Sequence, residues 1–168
     1  NRETDEWLAQ NQRSTRNFLR KWGHYCKHDQ YLKPIIPSKY DIGFIVKNCN
    51  NQLLEILEPW CSNIYVDEGN VLTMIKNYIA KEQPKTSFNL LERVLPYDNE
   101  KQNHILVEID GNNFNQQDYN IIEILSEIIH DNGELGEFEL GNLKIGIYNL
   151  TTFEKDLIFI TNSNNEKN

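Results

Sequence analysis

Amides and carboxylates gather directly behind three apolar runs. Asn48-Cys49-Asn50-Asn51 follows Ile42 to Lys47, Asp67-Glu68 follows Asn63 to Val66, and Asp110-Gly111-Asn112-Asn113 follows His104 to Ile109. In open parallel sheets ligands bind beyond the carboxyl ends of the strands, and parallel strands present those ends on one side. Asn48, Asn50, Asp67 and Asp110 are therefore expected to converge into one polar, ligand-binding cleft. Asp67 lies about twenty residues beyond the first loop, where dinucleotide-binding folds keep the carboxylate that takes up ribose hydroxyls. The first loop has no glycine, however, and close approach of backbone amides to a pyrophosphate requires one. The expected ligands are neutral sugar hydroxyls or a metal-bridged diphosphate, not a bare phosphate. The competing account is that the same residues cap helices and close turns.

Glu108 and Asp110 fall on one side of a strand because side chains alternate with a period of two. Such a pair suits Mg²⁺ or Mn²⁺ carrying a sugar-nucleotide diphosphate, unless Glu108 pairs with a basic neighbour. His24, Cys26 and His28 alternate, but no second ligand pair at zinc spacing accompanies them, so no metal site is assigned. Cys49 could act as a nucleophile only if His104 or His130 reached it, and a small buried residue is the simpler account. Trp22, Trp60 and Tyr65 read as core aromatics before they read as a sugar-stacking platform. Arg13, Arg16, Arg20, Lys21 and Lys27 read as a solvated helix face. The chain has no Gly-x-Ser-x-Gly elbow, Gly-Lys-Ser/Thr phosphate loop or His-Glu-x-x-His helix.

The elements that would position these residues follow from apolar spacing. Steps of three and four from Trp7 and Leu8 through Asn11, Thr15, Phe18, Leu19, Trp22 and Tyr25 predict an amphipathic helix from about Thr4 to Cys26, loosened at Gly23. His24 to Tyr40, with Pro34 and Pro37, predicts an extended connector. Strands Ile42 to Lys47, Asn63 to Val66 and His104 to Ile109 alternate with helices Asn51 to Glu58, Gly69 to Lys81 and Gln116 to Ile129. Leu72, Ile75, Tyr78 and Ile79 form the apolar side of the second helix, and Tyr119, Ile122, Leu125 and Ile129 that of the third. Ser87 to Leu95 fits neither period. Gly141-Asn142 joins Glu137 to Leu140 with Leu143 to Tyr148 as a β-hairpin, and Leu157 to Thr161 is a last candidate strand. The alternation implies an α/β fold: a Rossmann-like three-layer sandwich, mainly parallel, with a C-terminal antiparallel hairpin and a preceding N-terminal amphipathic helix. The expected organisation is helix and connector over residues 1–40, a Rossmann-like domain over 41–161, and a polar tail over 162–168.

Composition narrows the function classes. Of 168 residues 39% are hydrophobic and 25% charged, enough for one domain with a sizeable core. A net charge of −8 opposes a phosphate backbone, so no nucleic-acid partner is expected. No apolar run reaches the ~20 residues of a membrane span. Three cysteines do not make a disulfide framework, which points to a reducing, cytoplasmic compartment. The abundant asparagines interleave with patterned apolar segments and read as coding bias. The chain starts at Asn1 and its only methionine is Met74, so it is expected to be a piece of a longer protein.

Asn17-Phe18-Leu19-Arg20-Lys21-Trp22-Gly23 resembles the N…Y-x-x-K-W-G element near the end of catalytic domains in nucleotide-sugar glycosyltransferases of the GT-A fold, including family-2-like enzymes. The resemblance covers seven residues of the chain. It implies an upstream catalytic domain in the same polypeptide, because no strand with an Asp-x-Asp motif precedes this helix. The chain would then be an accessory, acceptor-positioning domain in polysaccharide or glycan synthesis, with a nucleotide sugar or a glycan acceptor as partner. The later strand order is similar to class I methyltransferases, with Asn48-Cys49-Asn50-Asn51 in place of their Gly-rich first loop. An S-adenosylmethionine-dependent sugar O-methyltransferase, with Asp67 on the ribose and Asp110 near the reacting group, is the alternative. A non-catalytic interaction domain is the third reading. Cofactor and oligomeric state stay open.

Overall fold

The computed structural model describes residues 2–25, 27–28, 30–32, 34–35, 38–67 and 71–153. Its helices are α1 (Arg2–Trp22), α2 (Asn51–Leu57), α3 (Val71–Glu82), α4 (Leu90–Arg93) and α5 (Gln116–Asn132). The main strands are β1 (Ile42–Lys47), β2 (Asn63–Asp67), β3 (Val94–Pro96), β4 (Ile105–Asp110), β5 (Gly136–Leu140) and β6 (Leu143–Ile147). They form one α/β mixed sheet in the order β3-β2-β1-β4-β6-β5. β1 pairs in parallel with both β2 and β4, and β2 with β3, whereas β6 is antiparallel to β4 and β5. The three strands expected to be parallel neighbours are so, and the hairpin forms at the expected turn. The ambiguous segment resolves into α4 and β3. A two-residue ladder, Lys27–His28 against Pro34–Ile35, lies in the connector. The candidate strand Leu157 to Thr161 falls outside the described residues.

Register fixes the two faces. Ile42, Phe44 and Val46 align with Ile105, Val107 and Ile109, Phe44 and Val46 with Ile64 and Val66, and Ile105 and Val107 with Ile147 and Ile145. These residues join one buried cluster with Leu19 of α1, Leu53, Leu54 and Leu57 of α2, Ile75 and Tyr78 of α3, and Ile122, Leu125 and Ile129 of α5. The helices thus pack on one face. On the other, Glu108, Lys144, Glu137 and Glu139 are exposed, the alternation expected of a solvated antiparallel edge. The return from β3 to β4 crosses this second face as coil. Asn103 donates to Asp41 Oδ1 (2.7 Å) and Asn63 Oδ1 (2.8 Å) and accepts from the Tyr65 hydroxyl (2.7 Å). A Cβ on Gly43 would stand 2.4 Å from Asn103 Oδ1, so glycine makes the crossing possible. The expected three-layer sandwich is corrected accordingly: among the described residues both faces do not carry helices, because the return crossover is not helical and α5 lies on the same side as α2 and α3.

α1 is divided along its length. Residues 4–15 are exposed, and Leu19 and Arg20 are buried. Trp7 is 66% exposed and does not pack on the rest of the domain, while Phe18 and Trp22 are half-buried. Leu72 is likewise exposed. Arg16 and Arg20 also leave the expected solvated face. Arg20 donates to Glu58 (3.0 Å) and Glu82 (3.0 Å), Arg16 to Glu82 (2.9 Å), and Arg93 to Glu58 (3.0 Å). The Tyr78 hydroxyl completes the cluster on Glu58 (2.8 Å). Burial acts to raise the Glu58 carboxyl, but the hydrogen bonds and charges of Arg20 and Arg93 outweigh it and hold Glu58 below the usual carboxylate range. Lys39 closes the helix end by donating to the carbonyls of Arg20 (2.8 Å) and Lys21 (3.0 Å), and Gly23 leaves the helix at φ 79°. The segment Asn17 to Gly23 therefore docks the helix: Asn17 donates to the Lys85 carbonyl (2.9 Å) and accepts from Arg20 (2.8 Å).

Candidate functional site

The carboxyl edge of the sheet brings part of the expected cleft together. Asp67, Lys47 and Asp110 form one cross-strand row with Lys47 in the middle, which sets the two carboxylates' backbones about 10 Å apart. Asn48, in the left-handed region at φ 53°, donates to Asp110 Oδ1 (2.9 Å), which also accepts from the Asn112 amide (2.9 Å). These two bonds, with Lys47 alongside, hold the Asp110 carboxyl below its ordinary range. Gly111 donates to the Lys47 carbonyl (2.8 Å), and a Cβ there would fall 2.2 Å from the Asn48 carbonyl oxygen. The loops after β1 and β4 are thus clasped together. Asn50 turns away and caps α2, accepting from the Leu53 amide (2.8 Å). Of the four expected ligand-binding residues, Asn48 and Asp110 meet, Asp67 shares their edge, and Asn50 is a cap.

The other sequence candidates separate. Cys49 is buried at the carboxyl end of β1, with its thiol on the Asn50 carbonyl (3.4 Å). His104 precedes β4 at the opposite end, and His130 closes α5, so a strand or helix length of roughly 20 Å lies between the thiol and either imidazole. Glu108 pairs with Lys144 (3.9 Å), which also approaches Glu137 (3.9 Å). Cys26 and the His28 side chain lie outside the described residues, and among those described no three His, Cys, Asp or Glu side chains form a metal-binding group. Trp60 and Tyr65 are core residues as expected.

A second concavity was not foreseen. A groove of about 720 Å³ runs over the helical face between α1, α2, the 3-10 turn Glu58–Trp60 and the start of α5. Trp60 forms its floor, with Tyr25 (centroids 5.0 Å, 90°) and Tyr119 (6.1 Å, 90°) set edge-on against the indole. The two phenol oxygens are 3.1 Å apart, and burial together with that contact pushes the Tyr25 hydroxyl up from its ordinary pKa. Phe114 and Ile56 extend the apolar surface. The rim carries the exposed amides of Asn11, Gln12, Gln52, Asn115 and Gln116. The sequence held a partial signal: Asn11, Gln12 and Thr15 lie on the helix stripe that carries Leu19, an amide-rich continuation of an apolar face. What it could not show is that α2 and α5 stand on the same side of the sheet, which is what closes the groove.

Aromatic edges and faces beside planar amides are the complement of a polyol, whose C–H faces pack on rings and whose hydroxyls both donate and accept. No described helix is long and apolar enough to cross a membrane. No family model, curated protein or solved structure matches this chain.

Proposed function

We propose that this chain is an accessory domain of a glycosyltransferase, positioning a glycan acceptor for a catalytic domain elsewhere in the same polypeptide. The observation that carries the reading is the Trp60–Tyr25–Tyr119 floor under an amide rim. The Lys-Trp-Gly resemblance is consistent with it, since that segment ends the helix that forms one wall. The carboxyl edge, with Asp67 exposed and Asp110 half-buried, is the secondary contact. The cytoplasmic compartment and a Rossmann-like relationship belong to the same proposal, the latter supported by the order β3-β2-β1-β4 and its reversal between β1 and β4. Titration calorimetry against a panel of oligosaccharides tests the reading. Binding weakened by about tenfold or more in Tyr119→Ala, with the fold intact, supports it; a panel without a single binder refutes it.

The methyltransferase alternative has less support. The Gly111 amide is engaged by Lys47, and the Asn48 carbonyl fills the space beside it, so the point at which a cofactor would enter between β1 and β4 is taken up by protein. Heat on titration with S-adenosylhomocysteine would restore that reading.

A further inference from the structure

We infer that the groove selects uncharged glycans and rejects acidic ones; this rests on the glycan reading above and goes beyond it in naming the ligand class. Two side chains that carry a charge at neutral pH line the groove, Arg16 and Glu55. A guanidinium is the usual receiver of a carboxylate or sulfate, but that of Arg16 is already engaged on each nitrogen. Nε donates to Glu82 (2.9 Å), Nη1 to the Glu55 carbonyl (2.6 Å) and Nη2 to the Tyr78 hydroxyl (2.7 Å). Turning Arg16 toward a ligand would leave Glu82, whose side chain is 2% exposed, with one arginine fewer. Glu55 is the opposite case. Its carboxylate is 42% exposed and accepts from Lys81 on both oxygens at 3.5 Å, an exposed pair that water and salt screen. The open charge of the groove is therefore negative, in a chain whose net charge is −8. An anionic ligand meets repulsion from Glu55, and among the described residues that line the groove no cation is free to answer it. The remaining polar groups are amides, a threonine hydroxyl and the hydroxyls of Tyr25 and Tyr119, uncharged groups suited to sugar hydroxyls.

The test titrates the whole chain with cellotetraose, maltotetraose, chitotetraose, the fully deacetylated chitotetraose and tetragalacturonate, at low and high salt. An uncharged member is expected to bind at least about tenfold more tightly than tetragalacturonate at low salt. Glu55→Gln should narrow that gap, read as the ratio of the uncharged ligand's affinity to that of tetragalacturonate, since it removes the repulsion and keeps the shape. The deacetylated tetramer, a cation, should bind at least as well as the uncharged sugars, whereas tetragalacturonate binding as tightly as they do, with loss in Tyr119→Ala, would overturn charge selection and leave the glycan reading standing. Absence of binding by every member would overturn both.

Discussion

Replacing Glu58 with glutamine removes one charge from the centre of the fold while keeping the side-chain shape. Its carboxylate is 0% exposed and answers Arg20, also 0% exposed, together with Arg93. Deleting one partner of a buried ion pair costs about 3–5 kcal/mol, because the remaining charge is left without compensation. Here Glu82 continues to hold Arg20 at 3.0 Å, so the lower end, about 3 kcal/mol, is the expected loss. With a urea slope of about 2 kcal/mol/M for a domain of this size, the midpoint should fall by about 1.5 M. Because Glu58 has a lowered folded pKa, its stabilisation is fully present above the unfolded carboxylate pKa of about 4.3 and is lost as pH falls through the folded value. The difference between the parent chain and Glu58→Gln should accordingly be constant from pH 7 to about pH 5 and shrink below about pH 4. Urea unfolding followed by tryptophan fluorescence across that range is the assay. A difference within about 0.5 kcal/mol at pH 7, or one unchanged at the acid end, would show that the cluster does not hold α1 to the sheet.

Gly111→Ala should destabilise by about 1–3 kcal/mol, since its Cβ would meet the Asn48 carbonyl oxygen at 2.2 Å; thermal unfolding measures it. Leu19→Ala should cost about 2–5 kcal/mol, whereas Trp7→Ala should stay within about 0.5 kcal/mol because the indole is 66% exposed; comparable losses would mean that the whole of α1 is docked. Asn115→Ala should cost about 1 kcal/mol in chemical denaturation by breaking the capping box with Asp118.

What was legible in the sequence is local. β1, β2 and β4 are short apolar runs closed by turn residues, and Gly141-Asn142 marks the hairpin, so strands and their order of appearance could be read directly. β3 has three residues and exists through its pairing with β2, a tertiary fact with no local period. The exposed second face was written in the alternation of Glu108, Glu137 and Lys144, but crossover reasoning gave the return to the third expected strand to the helix Gly69 to Lys81, whereas the chain returns through residues 97–104 without one. Arg16 and Arg20 look like surface residues on a helical wheel. Their burial depends on Glu58 and Glu82, which meet Arg20 across 38 and 62 positions of sequence. In the same way, strand ends located Asn48, Asp67 and Asp110, whereas the aromatic groove needs α1, α2 and α5 in place before it exists.

The most direct test of the glycan-binding account is a chemical-shift map of the amides during titration with a neutral oligosaccharide that binds. The account predicts that the largest shifts fall on Gln12, Gln52, Gln116 and Tyr119 and on the indole N–H of Trp60. Shifts confined to Asn48, Asp67, Asp110 and their loops, with the groove silent, would contradict it.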